Sequence, residues 1–217
     1  GACPSGVRCV DGACVDGLSL APEVASGLYV ESVAATGGDR TWAAFRSAAE
    51  AERVDSTLAV VSYAALDGGG DRTFPVGRVA ARFAVPSTIR RVVRAGVELH
   101  ASASAWGDAD VTDLVLVRFS PGDPLATMAA TTDMALSHWG MSAPWGTRPN
   151  ADFADRAAHV IDITDSATLA SLTPGASLWV GVVTGLDQSN RAPGESPAGF
   201  TGTTLATPPR LVLTYMP

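Results

Sequence analysis

Apolar and polar residues alternate with period two along most of this chain. The clearest stretch runs from Arg94 to Ser104, where Ala95, Val97, Leu99, Ala101 and Ala103 oppose Arg94, Glu98, His100, Ser102 and Ser104. Such a segment is a strand with one buried and one wet face. Val79, Ala81, Phe83 and Val85 likewise oppose Ala80, Arg82 and Ala84. Residues 28–33, 57–63, 114–119, 159–163, 178–184 and 210–215 read as further strands. Clusters of Gly, Pro and Asp punctuate them, among them Asp67-Gly68-Gly69-Gly70-Asp71 and Ser120-Pro121-Gly122-Asp123-Pro124. Helical spacing occurs twice. Trp42, Phe45 and Ala49 recur within 41–53 behind a Thr41 cap, and residues 165–172 offer one turn capped by Thr164 or Asp165.

With short strands, punctuating turns and no βαβ rhythm, the pattern predicts an all-β chain. The expected form is an antiparallel β-sandwich (jelly roll) with one or two short helices and an irregular N-terminal tail. The expected division is a cysteine-bearing tail over 1–17, a linker over 18–27 and the sandwich over 28–217.

Composition sharpens this picture in three ways. Hydrophobic residues make up 47% and charged residues 17%, so the chain is rich in core and poor in charge, which excludes disorder. The net charge is −7, and every basic side chain is an arginine, scattered without a basic run. That argues against a nucleic-acid partner. No apolar stretch approaches the roughly 18 residues of a transmembrane segment.

All three cysteines, Cys3, Cys9 and Cys14, fall in the first fourteen residues, within a turn-rich segment like a truncated extracellular cysteine-rich repeat. One disulfide with a third thiol left for another chain or a lipid anchor is expected, in a secreted or cell-surface setting.

Candidate chemistry is sparse. Gly194-Glu195-Ser196-Pro197 lacks the second glycine of a nucleophile elbow, and His100, His138 and His159 lie on separate segments without metal-site spacing. The chain is therefore read as non-catalytic, with no cofactor beyond a possible structural calcium. Asp67 and Asp71 around the triple glycine would be the first choice for that ion, although Asp and Gly are also ordinary turn formers. Trp106, Trp139 and Trp145 sit at strand ends or in Gly/Pro loops, with Arg148 close by. They are candidates for contact with a ligand or partner, or for plugging the open ends of the sandwich.

The order of motifs resembles the DNRLRE-type, carbohydrate-binding-module-like jelly rolls of bacterial secreted surface proteins. The resemblance rests on Arg82-Phe83-Ala84-Val85-Pro86, the loop from His138-Trp139-Gly140 to Trp145-Gly146-Thr147, Ile161-Asp162-Ile163-Thr164-Asp165, and the closing Pro209-Arg210-Leu211-Val212-Leu213-Thr214-Tyr215. It implies a sandwich at the cell surface. Two functions follow as expectations. The first is a structural or adhesive subunit of a fibre, coat or matrix, partnered by itself or another surface protein. The alternative is a module that binds polysaccharide through its loop tryptophans.

Overall fold

The computed structural model describes residues 8–10, 13–34, 60–63, 66–68, 71–105, 113–121, 136–190 and 202–217. The expected helix over 41–53 and Trp106 lie outside them, as does Cys3.

The strands are β1 (Arg8–Val10), β2 (Ala13–Leu20), β3 (Val24–Ala34), β4 (Val60–Tyr63), β5 (Leu66–Gly68), β6 (Asp71–Ala84) and β7 (Arg91–Ala105). After them come β8 (Asp113–Arg118), β9 (Gly146–Pro149), β10 (Ala158–Asp162), β11 (Ser177–Thr184), β12 (Gly202–Leu205) and β13 (Arg210–Met216). Two short helices, α1 (Ser166–Ser171) and α2 (Gly185–Gln188), follow β10 and β11. The chain is all-β, and every strand pair among the described residues is antiparallel.

The ladders run β1-β2-β13-β7-β12-β4-β6-β11-β8-β9, with β10 added to β7 and both β3 and β5 added to β6. The sheet folds on itself through β7. Its first part pairs with β13 from Arg91 to Glu98, and its last part pairs with β12 from Ala101 to Ala105. One layer is thus β2, β13, β10 and the start of β7; the other is built around β6, β11 and β8. Between them lies a hydrophobic core. Val97, Leu99, Leu211, Leu213 and Ile161 from one layer meet Val79, Phe83, Leu114, Leu116, Val180 and Val182 from the other. Burying each such side chain contributes roughly 1.5–3 kcal/mol.

The alternation predicted over Arg94–Ser104 is what β7 uses: Ala95, Val97, Leu99 and Ala101 are core, while Arg94, His100 and Ser102 are exposed. In α1 the cap is Asp165, whose Oδ2 accepts from the Thr168 backbone N–H at 2.7 Å.

Two expectations change. The stretch 18–27 is not a linker, because Leu18–Leu20 end β2 and Val24–Gly27 open β3. The described part of the cysteine tail is not irregular either. β1 and β2 form a hairpin whose register closes Val10 on Ala13. Asp11-Gly12 between those partners is a strong two-residue hairpin signal, and Leu18 and Leu20 pack against the core.

Candidate functional site

Two places combine side-chain chemistry with a built environment: the outer face of the β6–β11–β8 layer, and the sheet edge formed by β1, β2 and β13.

On the outer face, β8 and β11 carry unbroken apolar runs, so Val115, Val117 and Val183 are buried on the side away from the main core. The segment before β9 covers them. A short 3₁₀ turn, Leu136–His138, leads into Trp139, which makes a bridge to Phe119. The Gly140 N–H donates to the Arg118 carbonyl at 2.7 Å, and the Ser120 N–H donates to the His138 carbonyl at 2.8 Å. These bonds lay the indole flat on β11 at Gly181, where an added Cβ would sit 2.6 Å from the ring. A glycine inside a strand marks such close approaches. Phe119 packs on the indole with ring centres 4.6 Å apart, and the Arg78 guanidinium sits 5.1 Å from the Trp139 ring centre.

Arg78 is 2% exposed and Asp187 1%. Thr184 caps α2 by accepting from the Asp187 backbone N–H at 3.2 Å. The Asp187 carboxylate then takes two bonds from Arg78, Nε to Oδ2 at 2.7 Å and Nη2 to Oδ1 at 3.0 Å. The Gln188 amide donates to the Met141 carbonyl at 2.6 Å and ties α2 to the covering segment. This arrangement satisfies a buried charge pair and closes the face.

The N-terminal edge is more open. β2 pairs with β13 from Leu20 opposite Leu211 to Asp16 opposite Tyr215. Arg210 clamps it, with Nε donating to Ser19 Oγ at 2.8 Å and Nη2 to the Ser19 carbonyl at 3.1 Å. The Tyr215 hydroxyl donates to Asp16 Oδ2 at 3.4 Å. Partial burial, together with the charge of Asp16, pushes the Tyr215 hydroxyl pKa above its ordinary value. A groove of about 480 Å³ lies along this edge, lined by Arg8, Val15, Gly17, Val93, Arg94 and Thr214. Val93 owes its exposure to a bulge: Thr214 pairs with Arg94 and Tyr215 with Val92, leaving it as the extra residue. Cys9 stands directly opposite Cys14 in the β1–β2 register.

The structure scatters most of the residues singled out in the sequence. Trp139 is 3% exposed and Trp145 7%, one in the outer cluster and the other in the main core. Neither presents a face to a sugar. Arg148 is turned into the fold, pairing with Asp152 at 2.8 Å and donating to the Val160 carbonyl at 2.8 Å. Trp179 is half-buried, with Arg82 5.5 Å from its ring centre and Phe119 edge-on at 5.8 Å. Asp67 stands opposite Arg72 and Asp71 opposite Gly68, successive rungs of the β5–β6 hairpin.

His100 bonds the Arg156 carbonyl, while His159 bonds Asp155 at 2.8 Å. The Ala157 N–H and that His159 contact hold the Asp155 carboxyl below its usual range. Among the described residues no three His, Cys, Asp or Glu side chains gather as a metal site.

Sequence reasoning missed the Arg78–Asp187–Trp139 cluster. Its one local signal is Gly181, set among valines in β11. No family model matches the chain, and no curated protein matches it.

Proposed function

We propose that this chain is a secreted, non-catalytic structural or adhesive subunit of an extracellular or cell-surface assembly. The observation that supports this most is the N-terminal hairpin, which sets Cys9 opposite Cys14 at the end of the sheet. A Cys9–Cys14 bridge across these strands is part of the proposal. Such a bridge persists in oxidising compartments, and it leaves Cys3 as the odd thiol for a neighbouring chain. The likeness in motif order to DNRLRE-type surface domains points to the same cell-surface setting, and for function it favours the second reading below.

A second reading, polysaccharide recognition, keeps one observation. Trp179 retains partial exposure between Arg82 and Phe119, and an indole face of that kind can stack on a sugar ring.

Light scattering after size-exclusion chromatography, with and without reductant, tests the first reading. A species well above the chain's 22.2 kDa supports it, and sensitivity to reductant places a cysteine in the contact. A monomer under both conditions overturns it. Loss of Trp fluorescence response to polysaccharide in Trp179→Ala would then decide the second.

A further inference from the structure

We propose that β2 is an exchangeable strand, so that Ala13–Leu20 of one copy docks on β13 of a second copy of this chain. This rests on the assembly reading above and names the surface through which copies join.

Among the described residues β2 pairs only with β1 and β13. Its grip on β13 is a five-rung ladder, the Arg210 clamp on Ser19, the Tyr215–Asp16 contact, and the half-buried Leu18 and Leu20. Every one of these contacts can be made equally well by a β2 arriving from another copy. Exchange of an identical element therefore costs little interaction energy.

The connection decides whether exchange is favoured. β2 lies in one layer and β3 in the other, and only Ala21, Pro22 and Glu23 join them. The far side of this connector is pinned, with the Glu23 N–H donating to the Arg82 carbonyl at 2.8 Å and its carboxylate pairing with Arg82 at 3.0 Å. The proline restrains Ala21 to extended backbone. Short, constrained hinges invite swapping, and straightening this one turns β2 and β3 into one extended segment over 13–34. β13 then presents an open edge with the same clamp for the incoming strand. β1 travels with β2, because among the described residues its rungs are made to β2 alone.

The test is a chain carrying Gly17→Cys and Thr214→Cys. These positions face each other in the register, and a Cβ at Gly17 has nothing within 4 Å. Equal amounts of ¹⁵N-labelled and unlabelled chains are refolded together, separated by size, bridged with a short bis-maleimide and digested. Exchange predicts that linked 17–214 peptides from the oligomer fraction contain mixed isotopes at the share expected for random pairing. Single-isotope links in an oligomer would overturn exchange and leave the assembly reading standing. Absence of any oligomer would overturn both. A second variant, with Gly-Ser-Gly-Ser inserted between Ala21 and Pro22, should shift the population to monomer with unchanged circular dichroism, and an unaltered oligomer would count against exchange.

Discussion

The two faces of the β6–β11–β8 layer are buried by different means. The inner face is apolar, with one phenyl ring, Phe83, among its aliphatic side chains. Leu114, Leu116, Val180 and Val182 interlock with the opposite layer. The outer face is closed by the Trp139 indole, the Phe119 ring and a buried ion pair, and the indole lies where only the missing side chain at Gly181 makes room for it. On the inner face, truncating one side chain leaves a cavity but strands no charge. On the face closed by a charge pair, removing one member also deprives the other buried charge of the partner beside it.

Asp187→Ala should therefore be the most damaging change, costing about 3–5 kcal/mol by removing the carboxylate that takes two hydrogen bonds from the buried Arg78 guanidinium. Urea denaturation measures it, and Arg78→Met with Asp187→Leu should recover most of that loss. If the double variant is worse than either single one, the pair stabilises more than it costs. On the inner face, Leu116→Ala should cost about 2–5 kcal/mol by the usual cavity mechanism, with no rescue from changes on the outer face. Gly181→Ala should cost about 1–3 kcal/mol by overpacking. It should also shift the near-ultraviolet dichroism of Trp139, a signature Leu116→Ala leaves alone.

The smallest effect concerns pH at α1. The Thr168 hydroxyl and backbone N–H hold the Asp165 carboxyl below its ordinary range. The folded chain thus binds fewer protons there than the unfolded chain. This contribution is complete above the ordinary carboxylate value of about 3.9 and is lost as pH falls through the lower folded value. Asp165→Asn keeps a capping oxygen and should flatten that part of the acid unfolding curve while leaving neutral stability nearly unchanged.

Much of the inner face was legible in the sequence. Period two over Arg94–Ser104 marks the core side of β7, and Asp165 before an apolar turn marks a cap. The outer face was not, because its parts come from Arg78, Trp139, Gly181 and Asp187, which no local period connects. A tryptophan in a Gly/Pro loop reads the same whether it faces a sugar or a strand. What sorts the two is a glycine far along the chain. The unbroken run Leu114-Val115-Leu116-Val117 carried a usable signal, since strands covered on both faces lose their alternation. β2 was hidden for a different reason. Gly12 and Asp11 mark a turn, and the same dipeptide equally announces the hairpin that the turn closes.

β7 joins the two layers, so both depend on pairings between segments far apart in the sequence. Its edge from Arg91 to Glu98 is completed by Arg210–Met216, more than a hundred residues further along the chain. Until that segment arrives, one side of the longest strand carries open backbone donors and acceptors. Closing so distant a pair is slow.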